Sequence, residues 1–163
     1  FIGAENIPWH GVDKLERLGI YLKDYVDIHI VGPNKANTDN LFYYGYRTYE
    51  EYATIATSCH VGIGSLALHR YGLNEACTLK SREYLAFGLP LVIAYKDTAF
   101  LNDNVDFILE IDNCEFNINQ ESALRIFEFA KMNIDRVVKC QDVELHIDSK
   151  YLERKKIDFI KTM

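Results

Sequence analysis

The run Leu91-Val92-Ile93-Ala94-Tyr95, entered through Gly88-Leu89-Pro90, constrains this chain more than any other stretch. Consecutive apolar residues without polar alternation suit a strand buried on both faces. Strands of that kind belong to parallel sheets whose two faces are covered by helices. The segments around the run agree. Residues 12–22 carry Val12, Leu15, Leu18 and Leu22 at helical spacing, with Asp13, Lys14, Glu16 and Arg17 between them. Strands are expected at 26–31, which ends in Gly32-Pro33, at 41–44 after a polar loop at 34–40, at 59–63 and at 107–111. Thr48 and Glu51 have capping-box spacing, so a helix should start there. Residues 79–87 form a further helix with Gly88 and Pro90 as its stop. Residues 121–132 should be helical, with Leu124 and Phe127 on one side, and a last helix covers 150–160. The polar stretch 140–149 reads as a linker. The fold class is therefore α/β, three layers around a parallel sheet.

Composition narrows the function. The 163 residues fit one domain, with 48% hydrophobic and 26% charged residues and a net charge of −6. That balance argues against nucleic acid as a partner, which calls for a basic patch. Cys59, Cys77, Cys114 and Cys140 show neither CxxC spacing nor paired histidines, so neither a zinc site nor a disulfide framework is indicated. No metal is expected. No apolar run approaches the roughly 20 residues of a membrane span, and no signal peptide is read. Gly62-Ile63-Gly64 lacks the third glycine of a dinucleotide fingerprint, and no phosphate-binding GxxxxGK[ST] loop is present.

In an open α/β sheet the ligand sits beyond the carboxyl ends of the strands. The loops there are 3–11, 32–40, 45–47 and 64–78. The last leads into the helix beginning at Leu79, whose first N–H groups and positive dipole end suit a phosphate. This loop and helix carry Glu75 and Glu83, a Glu-x7-Glu pair. Leu79, Glu83 and Ala86 share a helical face, which should turn Glu83 toward apolar surroundings, where a carboxylate needs a partner. Lys80 in the first helical turn opposes the dipole, a local conflict that hints at a site. His69, Arg70 and Tyr71 of the motif loop either touch a sugar or face solvent. Tyr43, Tyr44, Tyr46, Tyr49 and Tyr52 read mostly as core positions rather than as a base-stacking platform.

The segment Leu79-Lys80-Ser81-Arg82-Glu83-Tyr84-Leu85-Ala86-Phe87-Gly88-Leu89-Pro90, with Glu75 ahead of it, resembles the C-terminal, donor-binding domain of the GT-B glycosyltransferases of family 4. Phe1-Ile2-Gly3 with Trp9-His10-Gly11-Val12-Asp13, Tyr43-Tyr44-Gly45-Tyr46-Arg47, and Val61 to Ser65 resemble that family's first strand and helix start, its base-facing turn and its serine-ended strand. The likeness covers roughly residues 1–135, about one domain. It implies a Rossmann-like half of a GT-B fold: residues 1–140 binding the nucleotide sugar, residues 141–163 forming a C-terminal linker and helix, and an N-terminal acceptor domain outside this chain. Phe1-Ile2-Gly3 reads as a strand already running into a turn, which suits a cut at a domain boundary.

The resemblance also implies roles. Glu75 would act at the reacting centre of the donor sugar. Glu83 would bind the ribose hydroxyls. The start of the helix at Leu79, Lys80 and Ser81 would meet the diphosphate. Gly45, Tyr46 and Arg47 would border the base, and His10 and Ser65 would line the same site. The implied activity is retaining transfer from a UDP-, GDP- or similar nucleotide sugar, without a separate cofactor, to a glycan or lipid-linked acceptor. Bacterial polysaccharide or capsule biosynthesis is the implied setting: cytoplasmic, at the inner face of the membrane where the full-length enzyme associates peripherally. The isolated fragment is expected to be inactive. The family usually places an Arg in the first loop and a Lys before the first helix. Here Ala4, Glu5 and Asn6 fill that loop and His10 replaces the Lys, so Lys80 or Lys14 is expected to supply the charge that stabilises the leaving diphosphate. Two other readings stand beside the enzyme: a non-catalytic nucleotide-sugar-binding module, and a sugar-nucleotide epimerase of the same architecture.

Overall fold

The apolar run is a central strand. In the computed structural model, which describes residues 1–4 and 6–162, β5 (Leu91–Ile93) lies between β3 (Gly62–Ile63) and β7 (Ile108–Glu110), parallel to both. A second parallel pair joins β1 (Ile28–Val31) to β2 (Leu41–Gly45). Phe1 to Gly3 runs beside β1: Val31 N–H donates to Phe1 O at 2.9 Å and Gly3 N–H to Val31 O at 3.0 Å. On the other side of this segment, Ile2 N–H donates to the Tyr84 hydroxyl at 2.6 Å. A side chain thus takes a place that a neighbouring strand would fill, and burial pushes that phenol's pKa upward. Two short strands, β4 (Glu75–Ala76) and β6 (Lys96–Asp97), pair parallel to each other and were not foreseen. Two residues are too few to display a period.

Side-chain direction along β5 explains the three layers. Val92 and Ala94 face a core built with Leu15 and Leu18 of α1 (Val12–Tyr21) and Ile126 and Phe129 of α4 (Gln120–Met132). Leu91, Ile93 and Tyr95 face the opposite core, with Ala56 of α2 (Tyr49–Thr57), Leu85 of α3 (Leu79–Ala86) and Val143 of α5 (Cys140–Ile147). A strand alternates faces at every residue, so a continuous apolar run feeds both cores. Each such fully buried leucine or isoleucine contributes about 1.5–3 kcal/mol.

Helix starts follow the local chemistry. Thr48 and Glu51 form the expected capping box of α2. Asn119 and Ser122 form another at α4. Two expectations are corrected. The buried face of α4 is Ala123, Ile126 and Phe129, with Phe127 packed at its border, while Leu124 is 57% exposed. Residues 140–147 are a helix, α5, rather than a linker: Val143 reaches the core, and the His146 ring lies 4.8 Å from that of Phe100. The final helix, α6 (Ser149–Lys161), buries none of its residues. No helix of the described residues is long and apolar enough to cross a membrane.

Gly32 lets two strand exits converge. Its φ is 112°, and a Cβ there would lie 1.6 Å from the carbonyl oxygen of Gly3. Only glycine permits the exits of Phe1–Gly3 and β1 to approach this closely.

Candidate functional site

At the carboxyl ends of the strands, Lys80 at the start of α3 meets Phe1, and Gly45 at the end of β2 meets Gly32 and Pro33 after β1. Thr78 caps α3, with its hydroxyl accepting from Ser81 N–H at 3.3 Å. The Thr78 and Ser81 hydroxyls also meet the Tyr95 hydroxyl at 2.8 and 2.6 Å. Ser81 and Tyr95 are buried, so this hydroxyl cluster anchors the first turn of α3 to the exit of β5. The N–H groups of Leu79 and Lys80 have no carbonyl to bond within the helix.

Lys80 turns inward from that end. Its ammonium is buried, lies 4.4 Å from the centroid of the Phe1 ring, and has no hydrogen-bond partner among the described residues. Burial pulls its pKa down to about 7. His10 is close by, its Nδ1 3.3 Å from the Ala4 carbonyl and its ring 5.9 Å from that of Phe1. Burial, followed by the charge of Lys80, lowers His10 to about 4. It is therefore a neutral hydrogen-bonding group at neutral pH rather than a substitute cation. Glu5 of the same loop lies outside the described residues.

The expectation that Lys14 supplies charge here is corrected. Its ammonium is buried and donates to Cys114 O at 2.8 Å, Glu115 O at 2.6 Å and Asn117 Oδ1 at 2.8 Å. All three protons are used to hold the loop before α4 against α1. Arg70 is similarly committed. It forks onto Asp13 at 2.8 and 2.7 Å, meets both oxygens of Glu115 at 2.9 and 2.5 Å, and reaches Pro8 O at 3.1 Å. Hydrogen bonds from Arg70 and then His69 hold the Glu115 carboxyl down to about 2. These bonds, with Asn113 Nδ2 donating to Leu73 O at 2.7 Å, pin the motif loop. His69 and Arg70 stand out in the sequence but Asp13 and Glu115 do not, because these partners are 57 and 45 residues from Arg70, respectively.

The two motif glutamates differ in setting. Glu75 is exposed on β4, in register with Lys96 across the ladder to β6. Glu83 is half-buried on α3, and its Oε1 accepts from the Tyr52 hydroxyl at 2.5 Å. The shared apolar face expected for Leu79, Glu83 and Ala86 is not formed: Leu79 is 86% exposed and Ala86 is exposed. The core side of α3 is instead Ser81, Tyr84 and Leu85. Across from α3, Gly45 ends β2 with φ 65°, a left-handed value that glycine accepts readily. Its turn leaves Tyr46, 72% exposed, and Arg47 projecting into solvent. The core reading is corrected for Tyr46 and Tyr49, both of which are exposed. Ser65 is buried, its carbonyl accepting from Ala94 N–H at 3.2 Å.

Two larger concavities lie elsewhere. One of about 500 Å³ sits among α1, α4 and the starts of β1 and β3 and includes none of the motif residues. Another, of about 790 Å³, runs between α3 and α5 with Glu83 on its wall. The second also has Leu79, at the start of α3, on its wall, but neither is lined by Lys80 or His10. The described residues contain no group of three or more His, Cys, Asp or Glu side chains placed to hold a metal ion. The arrangement is thus a helix start with free N–H groups, one buried ammonium, and a carboxylate that accepts from a hydroxyl.

Neither a family model nor a curated protein matches the chain. It is similar in structure to TarM, a glycosyltransferase, with a TM-score of 0.59 at 18% identity over 96% of this chain. The chain spans 33% of the length of TarM. At that identity the likeness shows the fold: a Rossmann-like α/β domain with the architecture found in a glycosyltransferase.

Proposed function

We propose that this chain is the donor-binding part of a retaining GT-B glycosyltransferase of the family 4 type, taking a nucleotide-diphosphate sugar and serving a glycan or lipid-linked acceptor. The observation that carries this reading is the buried ammonium of Lys80, without a hydrogen-bond partner among the described residues, in the first turn of the helix that presents Glu83. A diphosphate at the start of α3 would meet free N–H groups, the positive dipole end and this cation. Glu83, about one turn further along, is at the right depth to accept from ribose hydroxyls. Glu75, on the loop side, would face the sugar, and the turn at Gly45, Tyr46 and Arg47 would border the base. His10 would donate a hydrogen bond without charge. The desolvated position of Lys80 strengthens its attraction for a developing diphosphate charge.

A thermal-shift screen against UDP-, GDP-, ADP- and dTDP-sugars tests this reading, since any ligand of the native state raises stability by mass action. We expect at least one donor to raise the midpoint, and Lys80→Ala to abolish the shift. No shift with any donor, together with no calorimetric binding at millimolar nucleoside diphosphate, would sink the assignment. Binding without hydrolysis or transfer by a protein that includes an acceptor domain would favour the non-catalytic module instead.

A further inference from the structure

We infer that Tyr52 is a positioning residue for nucleotide recognition, holding one oxygen of Glu83 so that the other is turned to the ribose of a bound nucleoside diphosphate. The inference rests on the donor-site reading of Glu83. It starts from the hydrogen bond of 2.5 Å between the Tyr52 hydroxyl and Glu83 Oε1. Among the described residues, Oε2 has no partner of its own. A glutamate side chain rotates freely unless something fixes it, and ordering it on binding costs affinity. Here that ordering is done before the ligand arrives.

The support for Tyr52 is local and rigid. It sits one turn into α2, as Glu83 sits one turn into α3, so the two helices present phenol and carboxylate at matching depth. The capping box of Thr48 and Glu51 fixes the start of α2 directly after the turn at Gly45, Tyr46 and Arg47. Tyr49 and Phe87 brace the Tyr52 ring edge-on, with centroids 5.3 and 6.5 Å away. Burial and then the bond to Glu83 push the phenol up to about 12, so it remains a proton donor throughout the neutral range. A tyrosine needed only for packing would not require its hydroxyl on this carboxylate. The hydroxyl also leaves Glu83 with acceptor capacity, because each carboxylate oxygen offers about two lone-pair sites.

The test is calorimetric titration of this chain with UDP against 2′-deoxy-UDP and GDP against 2′-deoxy-GDP, for the parent, Tyr52→Phe and Glu83→Gln. Tyr52→Phe keeps the ring and its packing. We expect it to weaken the preferred ribonucleotide about tenfold, as loss of a hydrogen bond to a charged group would. The 2′-deoxy partner should change less than twofold, so that ribose preference shrinks. Adding Tyr52→Phe to Glu83→Gln should have no further effect. Equal losses on both sugars, no loss, or tighter binding by Tyr52→Phe would each overturn the proposal. If Glu83→Gln weakens binding while Tyr52→Phe does not, positioning by Tyr52 falls alone. If Glu83→Gln leaves every probe unchanged, the donor-site reading of Glu83 falls with it.

Discussion

The ammonium of Lys80 lies 4.4 Å from the centroid of the Phe1 ring. A cation over a phenylalanine face gains about 0.5–2 kcal/mol, too little to offset desolvation, and the pKa falls from the ordinary 10.5 to about 7.

Stability should depend on pH through this residue. Between about 7 and 10.5 the unfolded chain holds a proton at Lys80 that the folded chain releases, so the Lys80 contribution to stability rises with pH across that window. Below pH 7 its destabilising effect is complete; above 10.5 it is gone. We expect Lys80→Met to be more stable than the parent at pH 7, with the gap narrowing toward pH 10. Denaturant midpoints of the two proteins across this range check it, and a gap that does not change with pH would contradict it.

Binding should take up a proton. A diphosphate beside Lys80 favours the charged ammonium and raises its pKa again. At pH 8 nucleoside diphosphate binding should therefore draw protons from buffer, and at pH 6, where Lys80 is already charged, uptake through this group should vanish. Calorimetry in buffers of different ionisation enthalpy measures the proton count directly. Equal uptake by the parent and Lys80→Met at pH 8 would contradict the assignment.

Lys14 should behave in the opposite way. Replacing it with Met leaves the carbonyls of Cys114 and Glu115 and the Asn117 oxygen without their shared donor. Unsatisfied buried groups cost about 1–3 kcal/mol. We expect a loss of that order by urea unfolding, with nucleotide affinity of the folded protein unchanged within about twofold.

Gly32→Ala should be among the most damaging small substitutions. Its methyl would press on the Gly3 carbonyl at a φ of 112°. Overpacking costs about 1–3 kcal/mol and the strained backbone a similar amount, so we expect a loss of about 2–6 kcal/mol. A midpoint close to the parent's would show that the exits of Phe1–Gly3 and β1 can separate without cost.

Much of the fold was readable because it is written locally. Thr48 and Glu51 announce α2, Gly88 and Pro90 close α3, and the unbroken run from Leu91 announces a strand buried on both faces. The errors are also physical. Leu124 and Ile126 are two positions apart on a helix, and composition alone does not say which stripe meets the sheet. Residues 140–147 mix polar side chains with Cys140, Val143 and Ile147 at helical spacing, and the helix docks through Val143, Ile147 and the His146 ring. The candidate residues, two glutamates and a lysine, can be named from the sequence, but the side chains they contact cannot. Tyr52 is 31 residues from Glu83, and only the packing of α2 against α3 brings the phenol to the carboxylate. Both ammonium groups are buried, and only the three-dimensional structure shows that Lys14 meets three acceptors while Lys80 meets none among the described residues.

Lys14 also bears on the order of folding. Its acceptors stand 100 to 103 residues further along the chain. While the first half emerges during synthesis, α1 can form its turns but cannot bury this ammonium without penalty. Burial of that ammonium, and with it the native packing beside Leu15 and Leu18, is expected only once the segment at Cys114 to Asn117 arrives. Contacts of such sequence separation slow folding and couple distant parts of a chain. The knot at Lys14 ties completion of the first helix to completion of the sheet, so a nascent N-terminal half should remain open to proteases and chaperones until most of the domain has left the ribosome.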